Sequence, residues 1–260
     1  MTEAMQHLRL HSTSYVVIPA RLASSRLPRK LLLKETGKSL LQHTYEAASQ
    51  AKRPVGICVA AADQEIADEV RYFEGDVIMT DPQAASGTDR VAEVAQQLVN
   101  VDIIVNVQGD EPELHGACID QVIDLLERDS LADIATLATP IRSREQLLDP
   151  ACTKVVFDGA GRALYFSRSP IPHLRDEEDD MFTREPALFY QHVGLYAYRR
   201  DFLLQLAQLP QGTLEKSENL EQLRALASGY VIAVGVVDQP SVGIDTPNDY
   251  RAFVRRTLNQ

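Results

Sequence analysis

The apolar positions of this chain fall into short runs that alternate with amphipathic stretches through its first half. Small and β-branched apolar residues dominate 15–20, 55–61, 76–79, 102–107 and 134–139, the pattern of buried strands. Between these runs, 40–51, 64–73, 89–98 and 118–127 place their apolar residues on one helical face. Such alternation predicts an α/β fold, a mostly parallel sheet with helices on both faces. After Pro140 the pattern changes. Segments 154–157 and 162–166 predict short strands around the turn Asp158-Gly-Ala-Gly161, and 191–198 alternates as a further strand. The stretch 169–186 between them holds three prolines and the acid run Asp176-Glu-Glu-Asp-Asp180, and reads as a solvated surface loop or a flap that closes over a site. Helices over 201–209 and 214–227 follow, then a strand over 231–237. A last helix opens at Pro247 with Thr246 as its N-cap. The expected organisation is one domain over 15–260, with a smaller antiparallel cap or dimerisation segment over 150–200 and an extension over 1–14.

Composition narrows the function. With 260 residues, 45% of them apolar, the chain has material for a large core. Its formal net charge of -11 argues against nucleic acid and anionic membrane as partners. No apolar run reaches the length of a membrane span, and 1–14 lacks the apolar centre of a secretory signal. Cys58, Cys118 and Cys152 are far apart and show no metal-type spacing, which together with the rest points to the cytoplasm.

Against that acidic background, the loop after the first strand stands out. Ala20-Arg-Leu-Ala-Ser-Ser-Arg-Leu-Pro-Arg-Lys30 gathers Arg21, Ser24, Ser25, Arg26, Arg29 and Lys30 where an α/β sheet binds ligands, at a strand's carboxyl end. Cations and hydroxyls there suit a polyanion such as a nucleoside triphosphate, although a solvated basic turn has the same composition. In Asn106-Val-Gln-Gly-Asp-Glu-Pro112, Asp110 stands where a carboxylate can hold Mg²⁺, or simply cap a turn. Asp245, just before the last helix, is either a helix-entry residue or a second metal ligand. Ser86-Gly-Thr-Asp-Arg90 offers amides and hydroxyls to a base edge or a phosphate, or caps a helix through Ser86 or Thr88. His192 and Tyr196 share a strand face, Glu221-Gln-Leu-Arg224 lies on a helix, and Arg168 ends a strand. By themselves these last three read as a core or interface histidine, a solvated helix face and an ordinary strand-end arginine. No Walker A loop, G-x-G-x-x-G turn or G-x-S-x-G elbow is present, which argues against a P-loop NTPase, a classical dehydrogenase and an α/β-hydrolase.

Seven motifs occur together in one order. They are 17–30, 86–90, 106–112, Ala163-Leu-Tyr-Phe-Ser-Arg168, His192-Val-Gly-Leu-Tyr196, Leu220-Glu-Gln-Leu-Arg224 and Asp245-Thr-Pro247. In these, from about residue 15 to the C-terminus, the chain closely resembles the 3-deoxy-manno-octulosonate cytidylyltransferases. The resemblance implies a Rossmann-like nucleotidyltransferase sheet, a homodimer, and Mg²⁺-dependent transfer of CMP from CTP to the anomeric 2-hydroxyl of Kdo, with release of pyrophosphate. It implies that Arg21, Lys30 and Asp110 are catalytic, and that Ala20, Arg21, Ser24, Ser25, Lys30, Ser86, Gly87, Arg90 and Asp110 contact CTP. It further implies that Asp110 and Asp245 hold the metal, and that Gln108, Arg168, His192, Tyr196, Glu221 and Gln222 surround the sugar acid. Two departures stand in this sequence. Arg29 replaces a glycine of the family's first loop, so either the backbone there differs or an extra cation reaches the phosphates. Ala84-Ala85 replaces His-Gln before the Ser-Gly-Thr motif, a change also seen in a variant of the family that uses 8-amino-Kdo. The expected substrate is therefore Kdo, with 8-amino-Kdo and a sialic acid as alternatives and a noncatalytic CTP sensor as the competing class.

Overall fold

The computed structural model describes residues 12–24, 26–176, 179–238 and 241–259; Ser25, most of the expected extension 1–14 and part of the acid run 176–180 lie outside the described residues. In chain order the elements of the first half are β1 (Ser14–Ala20), the 3-10 turn Lys30–Leu32, α1 (Leu40–Ala48), β2 (Ile57–Ala61), α2 (Gln64–Tyr72), β3 (Val77–Met79), α3 (Gly87–Gln97), β4 (Ile103–Asn106), α4 (Gly116–Arg128) and β5 (Ile134–Pro140). The second half adds α5 (Arg144–Leu148), β6 (Lys154–Phe157), β7 (Ala163–Ser167), β8 (Tyr190–Arg199), α6 (Arg200–Leu206), α7 (Thr213–Glu218), α8 (Gln222–Ala227), β9 (Ile232–Val236) and α9 (Pro247–Leu258).

The strands run β3-β2-β1-β4-β8-β5-β9 across one sheet. β1, β2, β3 and β4 are parallel, as are β5 and β9, while β8 enters antiparallel between β4 and β5. The β6–β7 hairpin attaches to the start of β8, with Lys154 opposite Gln191. The antiparallel segment is thus continuous with the main sheet.

β1 sits inside the sheet because both of its faces are apolar. Val16 and Ile18 join the core beneath α1, α2 and α4, and Val17 joins the core beneath α3 and α6, the period-two alternation of a strand buried on both sides. Ser39 and Ser86 cap α1 and α3, and Thr246 with Asp249 forms a capping box on α9. The cap of α3 is Ser86, which settles the choice with Thr88. The helix expected over 214–227 is broken. Asn219 takes a left-handed φ of 52° and ends α7, so α7 and α8 meet at an angle.

Gly116 opens α4 against the end of α1, where a Cβ would stand 2.6 Å from backbone atoms of Gln50 and Ala51. Those atoms have no rotamer by which to retreat. Gly116→Ala is expected to cost about 1–3 kcal/mol, read as a lower urea midpoint. An unchanged midpoint would show slack in the α1–α4 contact.

Candidate active site

A cleft of about 710 Å³ opens at the carboxyl ends of β1 and β4. The β1 loop supplies Ala20, Arg21, Ala23, Ser24, Arg26 and Lys30 to its walls. The start of α3 supplies Ser86, Gly87 and Arg90, the β4 loop supplies Gln108, Gly109 and Asp110, and the entry to α9 supplies Asp245. Of the residues expected at nucleotide and metal, all but Ser25, which lies outside the described residues, meet here. Gly109 lets the walls approach, since a Cβ there would stand 3.2 Å from the Pro19 carbonyl.

Lys30 is the centre of the cleft floor. Its ammonium donates to the Asp110 carboxylate, to Asp245 Oδ1 at 3.0 Å and to the Ile244 carbonyl at 3.1 Å. Burial alone would lower its pKa, but Asp110 and Asp245 outweigh burial and hold the ammonium above its ordinary value. The Ile244 amide donates to the Asp110 carbonyl at 2.9 Å, which ties the two carboxylate-bearing loops together. Beneath them Glu111 accepts from the Ser241 hydroxyl, and burial pushes its carboxyl up to about 7, with the Asp110 charge adding to the rise. Arg26 takes the other oxygen of Asp245 at 2.9 Å. Sequence reasoning saw Arg26 as one of a cluster of cations but did not place it beside Asp245.

Arg29 precedes the 3-10 turn with φ 57° and ψ 28°, so the backbone takes the left-handed turn that a glycine would favour. Its side chain leaves the cleft and pairs with Glu65 of α2. The extra cation therefore does not join the anion site. On the opposite wall the Arg90 guanidinium is buried and donates to Thr80 Oγ1 at 2.5 Å and the Asp81 carbonyl at 2.9 Å, and burial lowers its pKa.

The five remaining residues expected at the sugar do not line this cleft. Gln108 reaches Asn106 at 3.4 Å, and Asn106 stands opposite Tyr196 in the β4–β8 ladder. Thr88 donates to Glu221 Oε2 at 2.9 Å. The Tyr198 hydroxyl, which the sequence reading missed, bonds both Thr88 and Asn106, and its pKa is raised by burial. Glu221 Oε1 and Gln222 Nε2 are buried with no hydrogen-bond partner among the described residues, although Arg224 stands 3.7 Å from Glu221. Arg168 differs. Its guanidinium donates to the carbonyls of Glu218 at 2.7 Å, Pro150 at 3.0 Å and Asn219 at 3.4 Å, so it clamps the end of α7.

His192 packs edge-on against Phe166, meets the Tyr196 ring and bonds Thr136 Oγ1 at 3.0 Å. Burial pushes its pKa down to about 3. Its neutral form is thus the native form. The stability this contributes is complete above the ordinary pKa of 6.5 and is lost as pH falls toward 3. Its ring signals in a heteronuclear NMR titration are expected to stay fixed across about pH 5–8, the range in which an ordinary histidine titrates. A midpoint inside that range would place the ring in contact with water or a carboxylate.

Asp110, Asp245 and the Ile244 carbonyl present only oxygen donors, which fits a hard divalent cation completing its shell with waters and phosphate oxygens. Among the described residues no three His, Cys, Asp or Glu side chains cluster, so the fit is to a shared, substrate-completed site and not to an all-protein cage. No helix among the described residues is long and apolar enough to cross a membrane.

Residues 15–232 match the family model described as cytidylyltransferase. A 3-deoxy-manno-octulosonate cytidylyltransferase of Rhodopirellula baltica is 50% identical over 246 residues, covering 94% of this chain and 98% of that protein. One of Geotalea uraniireducens is 47% identical, covering 92% and 97%. Among solved structures, a CMP:2-keto-3-deoxy-manno-octonic acid synthetase complexed with CTP superposes with a TM-score of 0.88 at 39% identity, covering 95% of this chain and 99% of that one.

Proposed function

The chain belongs to the cytidylyltransferase family, and within it to the 3-deoxy-manno-octulosonate cytidylyltransferases, and from that premise we propose that it transfers CMP from CTP to the anomeric 2-hydroxyl of Kdo. Pyrophosphate leaves, and the product is CMP-Kdo for lipopolysaccharide biosynthesis. The observation that carries the reading is Lys30 bracketed by Asp110 and Asp245 on the floor of a cleft at the strand ends.

Ala20, Arg21, Ser24, Ser25 and Lys30 hold the triphosphate, with the cations offsetting the charge that grows on the leaving pyrophosphate. Ser86, Gly87 and Arg90 face the nucleoside at the opposite wall. Gln108, His192, Tyr196, Glu221 and Gln222 order the sugar hydroxyls. His192 acts there as a neutral hydrogen-bonding group because burial keeps it uncharged. Arg168 serves the sugar end by fixing the α7–α8 corner. Mg²⁺, held by Asp110 and Asp245, would neutralise phosphate charge during the displacement. No side chain forms a covalent intermediate. The reading also places the enzyme in the cytoplasm as a homodimer joined through 150–200, a state that sedimentation of the purified protein checks.

The test is pyrophosphate release from CTP and Mg²⁺ with Kdo, 8-amino-Kdo and N-acetylneuraminate in parallel. Release with Kdo is the expected result. Preference for the amino sugar would give Ala84-Ala85 its meaning, and release only with the sialic acid would move the chain to a different cytidylyltransferase. Folded protein that binds CTP but releases nothing would be a nucleotide sensor.

A further inference from the structure

The three acceptors around Lys30 use every donor that an ammonium has: the Asp110 carboxylate, Asp245 Oδ1 and the Ile244 carbonyl. In this state Lys30 has no N–H left for a phosphate, and the oxygens suited to a divalent cation already surround a cation. Lys30 is only 14% exposed in its side chain, so it is not sampling solvent beside the pair but filling the space between the two carboxylates. Those loops come from distant parts of the chain, and two like charges aimed at one point repel unless something positive sits between them. Arg26 does not fill that role. It touches the outer oxygen of Asp245 and is 63% exposed.

We propose that Lys30 is a tethered stand-in for the divalent cation, and that its transfer from the Asp110–Asp245 pair to the triphosphate couples metal binding to nucleotide binding. The inference rests on the assignment of that pair to the metal and of Lys30 to CTP. Its logic is an exchange. A metal arriving alone must push an ammonium off three oxygens and leave it without a partner. A nucleotide arriving alone must pull the same ammonium away and leave two carboxylates facing each other. Arriving together, each ligand supplies what the other displaces, so both bind better than either alone. Before substrate arrives, the ion pair keeps the two loops in place and makes the empty-handed enzyme a poor metal scavenger.

The test uses the full chain and Mn²⁺ alone, followed by electron paramagnetic resonance. Lys30→Met and Lys30→Gln are expected to bind Mn²⁺ about 5- to 150-fold more tightly than wild type without nucleotide, the span of ordinary coupling factors, although both lose CTP affinity. Adding Asp245→Asn to either should remove the gain. If both variants bind Mn²⁺ no better than wild type, the stand-in role is wrong, and the metal assignment is judged separately by whether Asp245→Asn lowers wild-type Mn²⁺ affinity. A gain that survives Asp245→Asn places the metal elsewhere and overturns both. A second measurement needs no variant. Acylation of Lys30 by a water-soluble active ester, followed by mass spectrometry with Lys34 as internal reference, should speed up on adding Mn²⁺ and slow again on adding CTP. Mn²⁺ saturation with no change in Lys30 labelling would sink the proposal.

Discussion

Asp110→Asn is expected to lower turnover by about a thousandfold while leaving the protein folded, because it removes a carboxylate proposed to hold the metal, worth several kcal/mol of charge stabilisation at the phosphates, together with one partner of Lys30. The side chain stands at the cleft surface, 23% exposed, and not in either apolar core. The backbone bond that ties the two loops, Ile244 N–H to the Asp110 carbonyl, does not involve the substituted group. Asparagine matches the shape, but it is neutral and keeps only one acceptor oxygen. Lys34→Ala is the matched control. Lys34 lies four residues from Lys30 yet pairs with Glu69 and covers the Tyr72 ring on the outside of the loop, so its loss should leave turnover near wild type. Steady-state pyrophosphate release at saturating Mg²⁺ reads both variants. Near-normal turnover by Asp110→Asn would remove Asp110 from the metal.

The cluster proposed for the nucleotide was legible as a cluster because its residues are nearly consecutive. A strand end followed by Arg21, Ser24 and Lys30 also fits a solvated basic turn, but all three line the cleft, as the residues proposed for the nucleotide should. What was not legible is who partners whom. Lys30 meets Ile244 and Asp245 across more than two hundred residues, and no spacing rule reports such a contact. Arg29 could not be placed from sequence either, since a left-handed arginine and a displaced loop look alike until the backbone is known. The sugar end misled in a different way. Glu221-Gln-Leu-Arg224 reads as a solvated helix face, yet Gln222, Leu223, Arg224 and Ala225 are all buried. A helix of six residues is too short to show a 3.6-residue period, and α8 packs on several sides at once. The break at Asn219 had a signal, because asparagine is the residue that most readily replaces glycine in the left-handed region. The periodicity of 214–227 hid it.

That misread arginine carries the largest expected effect on stability. The Arg224 guanidinium grips Glu215 through two bonds, Nε to Oε2 at 2.9 Å and Nη2 to Oε1 at 2.5 Å, and Nη1 reaches the Leu206 carbonyl at 3.3 Å. Both side chains are more than nine-tenths buried. Arg224→Met fills much of the volume but strands the Glu215 carboxylate in the interior, and is expected to cost about 3–5 kcal/mol in urea unfolding. Removing the carboxylate as well, with Glu215→Leu in the same chain, should restore most of that loss, because the penalty comes from the unpaired charge and not from the missing contact. The pair also joins α7 to α8 across the Asn219 corner, and Glu221 and Gln222, proposed for the sugar acid, stand at the start of α8. If Glu221 and Gln222 contact the sugar acid as proposed, a stable double variant should keep its KM for CTP and show a raised KM for the sugar acid. If Arg224→Met unfolds within about 1 kcal/mol of wild type, the range of a surface ion pair, the bridge is solvated in practice and the corner is held by other contacts, such as those of Ser167 and Arg168 to Glu218.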